Sequence, residues 1–371
     1  MPRLNLKELF KGAIPTLISI GYGLLIGLII MLIVSPAQAF QGLGILLVGG
    51  LRTGLKGIGD TFYFAGPYIL VGLSVGFAFR TGLFNIGASG QVMLGAFASL
   101  YVGLNIPMPN GIHYVVAVTA GVVAGGLLGA LIGLLKAYFN VNEVVASIML
   151  NYAVVYFVIF SMSTSGMVDR LTSWSKIPPS TAQAPNLNFN NIFSGSSLDL
   201  SIFLAIGAVM LIYIILNKTT LGFELKAVGF NPSGSKYAGI SYKRNVIISM
   251  AISGALSGLA GAALFLNPTS GKRLSTSAII LREGFDGITI ALLGASNPIG
   301  IVFASLFIAH IRLGGLQLQL LDGISPEVIS IIVAAIIYLT AISQILQDKT
   351  SQLGLYMKNK IFKKSKKVGK E

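Results

Sequence analysis

The sequence predicts an all-α integral membrane protein, a polytopic helical bundle of about ten membrane segments that includes broken or re-entrant helices. Two observations and one physical constraint carry this reading. Only 10% of the 371 residues are charged while 54% are hydrophobic; soluble domains carry about 25% charge. The apolar runs are continuous and about 20 residues long, enough for a helix to cross a bilayer, and do not alternate as barrel strands do. Hydrocarbon, finally, admits only helices or closed barrels, because every backbone polar group must be satisfied inside the protein.

The membrane runs are read at 14–35, 61–79, 86–104, 112–135, 144–163, 198–216, 245–266, 285–295, 298–313 and 324–346. They make 14–346 the membrane domain, between a cytoplasmic N-terminal segment, 1–13, and a basic cytoplasmic tail, 347–371. The first run is long enough to stay as a helix, so the N terminus is not read as a cleaved signal. The net charge of +14 would suggest nucleic acid in a soluble protein. Here it maps onto one side of the membrane, and no nucleic-acid partner is expected. The 218–244 connection holds five Lys/Arg and the tail from Lys349 holds eight, which marks both, and the N terminus, as cytoplasmic. The 164–197 connection then lies outside. Its Trp174 is read as an interfacial anchor, with substrate contact as the other reading. The tail is read as a polybasic segment drawn to anionic lipid.

With the 245–266 run and the last run both fixed in direction, the segment between them has to enter and return. It is broken at 294–300 into limbs of 11–16 residues, which predicts a hairpin of short helices. A second break lies in "FRTGLFNIGASGQ" at 79–91. Paired interruptions of this kind point to a solute path; close packing through small residues is the alternative, and for Asn85, Gln91 and Asn151 so is hydrogen bonding between helices. The path candidates are Phe84, Asn85, Ser89 and Gln91 at the first break, and Phe285 and Asp286 at the second. Asn151, on the next helix, joins them. Asp286 can instead cap a short helix or pair with Arg282. Arg80 is placed near the inner end of the preceding helix. Glu143 complements a helix dipole in its first turn, capped by Asn142 or Asn140. Gly121, Gly125 and Gly129 share one face and are read as helix packing.

Other chemistries are excluded by residue type. There is no cysteine, so no disulfide or thiolate chemistry, and His113 and His310 lack companions for a metal site. "GLSVG" at 72–76 matches a nucleophile elbow in form but lies in a membrane run rather than a strand–turn–helix. "SGKR" at 270–273 lacks the glycine and hydroxyl of a phosphate loop. No nucleophile–base set argues for an enzyme. An ion-coupled secondary transporter would need deep acidic residues, and Asp286 alone qualifies.

The 217–245 loop, "NKTTLGFELKAVGFNPSGSKYAGISYKRN", reads as a short helix over 222–228, an Asn-Pro-Ser-Gly turn and a second piece over 235–240. Apolar residues on such a loop (Phe223, Val228, Phe230, Tyr237 and Ile240) suggest a docking surface. The loop resembles the coupling segment of the permeases of ABC importers for branched-chain amino acids, simple sugars and nucleosides. "FRTGLFNIGASGQ", "NEVVASIMLNY" and "GFDGITIALLGASNPIG" are similar to the nucleoside branch, above all to the larger of two nonidentical permeases in Gram-positive bacteria.

That resemblance covers roughly residues 60–345. It implies a nucleoside permease subunit, not itself an enzyme, in a bacterial cytoplasmic membrane. It also implies coupling through Gly222, Glu224, Lys226, Gly229, Asn231, Tyr237, Gly239 and Ile240. The implied partners are a cytoplasmic ATP-binding subunit, which would hold the ATP and Mg, a second permease, an extracytoplasmic substrate-binding lipoprotein and membrane lipid. This chain would carry no cofactor. A simple sugar or another small heterocycle is the alternative cargo. The chain departs from the pattern at Ser89, where Glu is usual, and at Gly234–Ser235, where two alanines are usual.

Overall fold

A computed structural model describes residues 21–169, 171–322 and parts of 330–339. The expected N-terminal segment, the start of the first span, most of the 324–346 span and the basic tail lie outside the described residues. The protein is mostly helical and divides into two units. One comprises Met1–Leu47 with Gly315–Glu371, the other Val48–Gly314. In the first, helix α1 (Gly21–Val34) brings Gly27 against the side chain of Ile332. It is followed by α2 (Ala39–Val48).

The second unit holds α3 (Leu55–Arg80), α4 (Ala88–Asn105), α5 (Ile112–Phe139), α6 (Glu143–Thr164), α7 (Ser201–Lys218), α8 (Thr220–Phe230), α9 (Pro232–Tyr237), α10 (Tyr242–Phe265), α11 (Arg282–Leu293) and most of α12 (Pro298–Asp322). Six described helices are long and apolar enough to cross a membrane: α3, α5, α6, α7, α10 and Pro298–Leu318 of α12. The fold is a multi-pass helical bundle. The connection after α6 contributes one short antiparallel pair, β1 (Val168–Asp169) and β2 (Trp174–Ser175).

Local signals set the helix ends. Asn142 caps α6 by accepting from Val144 N at 2.8 Å, and Asn140 closes α5 in the left-handed region at φ 53°. Glu143 pairs with Lys136 across that turn. Thr219 caps α8 and Asn231 caps α9, whose first residue is Pro232; a proline there gives up an N–H that would have no helical partner. The two helices expected in the 217–245 loop at 222–228 and 235–240 are thus present, each beginning two or three residues earlier.

The core is built on bare backbone. Gly121, Gly125 and Gly129 of α5 face Gly254 and Gly258 of α10, and Gly258 also meets Gly95 of α4. A Cβ on Gly258 would overlap the Gly121 carbonyl oxygen. Without a hydrophobic drive between helices in lipid, such close approach supplies the packing energy.

One expectation is corrected. The segment after α10 is not a hairpin of two short limbs. The first limb, α11, is 12 residues long, but α12 runs 25 residues. Arg312 marks the expected end of the second limb in sequence, yet its charge is met by Asp286 of α11, so the helix continues past it.

Gly258→Leu should prevent the α5–α10 approach, because overpacking of this kind costs about 1–3 kcal/mol or more. Thermal unfolding in detergent should shift down by several degrees or the folded protein be lost. Leu127→Val, on the exposed face of α5, should melt within about a degree of the parent.

Candidate functional site

The first break begins where α3 ends at Arg80. Thr81 closes the helix by bonding Ala78 O at 2.9 Å and pairs with Ser249 of α10. Gly82 turns the chain at φ 72°, and residues 83–87 run back into the bundle before α4 starts. Asn85 is fully buried. Its Nδ2 donates to Gln91 Oε1 at 2.8 Å and to Ser253 Oγ at 2.7 Å, while Gln91 Nε2 donates to Asn85 Oδ1 at 3.2 Å. Ser74 and Ser257 complete the knot, 2.8 Å apart, and Ser253 Oγ reaches Ser74 O at 2.7 Å. Asn151 of α6 staples the break from the other side. Its Oδ1 accepts from Gly90 N at 2.9 Å and its Nδ2 donates to Ile86 O at 3.2 Å. A buried polar group without a partner costs about 1–3 kcal/mol, so these contacts are what allow irregular backbone at this depth.

The second break is joined to the first. Arg80 Nε donates to Ser296 O at 3.0 Å, in the tight 294–297 turn where Ala295 and Ser296 take φ 51°. Ser89 lies against Gly284 so closely that a Cβ on Gly284 would overlap Ser89. The Ser89 hydroxyl is buried with no hydrogen-bond partner.

Asp286 neither caps α11, whose N-cap is Leu281, nor pairs with Arg282. It meets Arg312 Nη2 at 2.7 Å, and the guanidinium lies 5.7 Å from the ring centre of Tyr68, within cation–π range. Glu283 pairs with Lys272. Phe285, between them, is exposed. Phe84 is half-buried and stacks on Phe79 at 5.3 Å.

The structure therefore brings Asn85 and Gln91 into direct contact, sets Asn151 and Ser89 around them, and turns Phe285 outward. Ser74, Ser253, Ser257, Tyr68, Lys272 and Arg312 belong to these networks and were not anticipated. Serines in apolar runs give no signal of which groups they meet. Arg312 did give one: it is a cation inside a membrane run, which calls for a counter-ion.

The loop of α8 and α9 sits against the first break. A Cβ on Gly229 would fall 2.5 Å from Thr81 C, and one on Gly82 would fall 2.5 Å from Gly229 Cα, so α8 rests on that turn backbone to backbone. Beside the contact is a groove of about 510 Å³ lined by Phe79, Arg80, Phe223, Lys226 and Phe230, among others. Gly222 lets α8 fold closely onto Ile215 and Leu216 of α7. Glu224 accepts from Asn245 Nδ2 at 3.2 Å, and Gly239 ends the segment at φ 80°. Ile240 is half-buried. Phe230 and Tyr237 stand 94% and 95% exposed.

A family model described as branched-chain amino acid transport system / permease component matches residues 57–341. The chain belongs to this family. It is a permease component of a transport system and not an enzyme. It is 38% identical to the guanosine ABC transporter permease protein NupP of Bacillus subtilis, over 91% of this chain and 95% of that protein. It is 37% identical to the nucleoside ABC transporter permease protein NupB of Lactococcus lactis subsp. cremoris, over 89% and 91%. A glucose ABC transporter permease protein of Haloferax volcanii is 28% identical, over 83% and 81%. No solved structure matches the chain.

Two substitutions test the networks of the permease. Asn151→Ala orphans Gly90 N and Ile86 O and should cost on the order of 2 kcal/mol, read as a lower melting temperature. Asp286→Asn strips the partly exposed Arg312 of its counter-charge and should also destabilise. The double variant Asp286→Asn/Arg312→Gln should recover part of that loss; additive losses would show that the two residues are not coupled.

Proposed function

We propose that this permease is one subunit of an ATP-driven importer that carries nucleosides across a bacterial cytoplasmic membrane. The observation that carries the reading is the seating of the α8–α9 loop on the turn of the first break, with Phe230 and Tyr237 left free. A cytoplasmic ATP-binding subunit that grips those two side chains acts directly on backbone joined to Asn85. The names of the relatives at 37–38% identity supply the cargo class. The further parts are a second, nonidentical permease and an extracytoplasmic lipoprotein that delivers solute. The chain has about ten membrane segments, with both termini cytoplasmic.

In this reading the permease binds neither ATP nor Mg; the ATP-binding partner holds both. Closure of the ATPase shifts α8, and the joined breaks move between outward-open and inward-open arrangements. A nucleotide or solute biases the two only so far as it binds them unequally. The path residues are Phe84, Asn85, Ser89, Gln91, Asn151, Phe285 and Asp286. The coupling residues are Gly222, Glu224, Lys226, Gly229, Asn231, Tyr237, Gly239 and Ile240. The glucose-named relative favours a simple sugar as the second reading of the cargo.

Cells with and without the chain should differ in uptake of radiolabelled guanosine or uridine, and excess glucose should not compete; equal uptake in both would sink the nucleoside assignment. Phe230→Ala and Tyr237→Ala together should abolish co-purification with the ATP-binding subunit. The bundle should keep its melting temperature, since neither side chain packs on it. An undisturbed complex would rule out these residues as the docking surface.

A further inference from the structure

Helix α6 presents two faces of different chemistry. One packs into the bundle through Ser147, Asn151, Val154, Val158 and Met162. The other carries Tyr152, Tyr156 and Phe160 at 52%, 63% and 69% exposure. Spaced four apart, these three lie above one another on a single stripe. At 1.5 Å per residue, Tyr152 and Tyr156 sit about 14 and 20 Å along a helix about 33 Å long, which is the middle of the membrane. Neither hydroxyl has a hydrogen-bond partner among the described residues.

The neighbouring helices differ. At the same depth α5 exposes Val123, Leu127 and Leu131, and α7 exposes Ile206 and Met210. Of the other exposed tyrosines of the membrane helices in this unit, Tyr138 lies in the last turn of α5, and Tyr101 and Tyr213 lie four and five residues before the ends of α4 and α7, nearer the interface where an aromatic belt belongs. A phenol facing hydrocarbon gives up its hydrogen bonds without return. A packed helix is a poor occupant too. Close helix contacts in membranes use small residues, as α5 and α10 do here, and this stripe is bulky.

We propose that the Tyr152–Tyr156–Phe160 face of α6 lines the solute path, its rings stacking on the base and its hydroxyls bonding the polar edges of a nucleoside. The inference rests on the nucleoside-importer reading for the cargo, but its location in the bundle stands independently. Stacked aromatics hold any base because each has a π-face, and tyrosine adds a polar tip to an apolar body. Wet polar surface beside the path removes the difficulty of two mid-depth phenols.

The chain has no cysteine, so single cysteines can be placed without background from this subunit. Tyr152→Cys, Tyr156→Cys and, as a lipid-facing control, Leu127→Cys would be introduced into the intact transporter in membranes. Each would be treated with a membrane-impermeant thiol reagent. The two α6 positions should react at least about tenfold faster than the control, and guanosine or uridine should slow them.

Reaction as slow as at Leu127→Cys would overturn the proposal, and cross-linking of these cysteines to the second permease would identify a protein occupant in its place. Fast reaction slowed by glucose or ribose but not by nucleosides would keep the face on the path and remove the nucleoside assignment instead. Tyr156→Phe, which keeps the ring, should raise the KM for uptake about 2- to 10-fold, the loss of one neutral hydrogen bond, with melting temperature unchanged; an unaltered KM would count against contact with the solute.

Discussion

Backbone that leaves the helix inside a bilayer must find its hydrogen bonds in protein, and the second unit is organised around meeting that condition once. Residues 83–87 turn back from the end of α3 with no helix of their own. Asn151 satisfies Gly90 N and Ile86 O, and Asn85 fastens the segment to Ser74, Gln91 and Ser253. These partners come from α3, α4, α6 and α10, so the helices must meet at fixed register. The glycine contacts of α5 with α10 and of α10 with α4 bring the serines of α10 within reach. Packing and polar satisfaction are thus one arrangement. The backbone contacts set the spacing and the hydrogen bonds use it.

Long helices were legible in the sequence because an apolar run of fixed length has one physical explanation. The cap of α6 was legible for the same kind of reason, since Asn142 sits where a helix start needs an acceptor; Thr219 and Asn231, which cap α8 and α9, were not read as caps, because the first loop helix was expected to begin at 222 and Asn231 was placed in a turn. Both breaks were legible as glycine and polar residues where neither belongs. What the sequence could not say is what a buried polar group faces. Asn85 and Gln91 read as lining a path or as glue between helices, and their side chains are bonded to each other. Asp286 was read as a path residue, a helix cap or the partner of Arg282, and its partner lies 26 residues away in α12. The same pairing explains the misjudged length of α12. A charge ends a membrane helix only if nothing neutralises it, and neutralisation is a property of the fold.

The two breaks are far apart in the chain and close in space. Arg80 holds the turn before α12, and Ser89 abuts Gly284. α11 therefore cannot shift without moving the start of α4 or the end of α3. The exposed Phe285 and the paired Asp286 ride on that helix, so the polar knot, the ion pair and the α8–α9 loop form one contiguous set of contacts.

The seat of α8 on the 81–82 turn has a mechanical meaning. Side chains are compliant: they change rotamer and absorb small displacements before passing them on. At Gly229 and Gly82 there is no side chain to do so, and two peptide backbones bear directly on one another. Such a joint has almost no slack. A displacement of α8 by a fraction of an ångström is delivered to the break at nearly full amplitude, in compression but not in tension, since nothing bonds the two glycines together. Movement of α8 toward this turn would be opposed by backbone on both sides, whereas no hydrogen bond between the two glycines would carry a movement away from it.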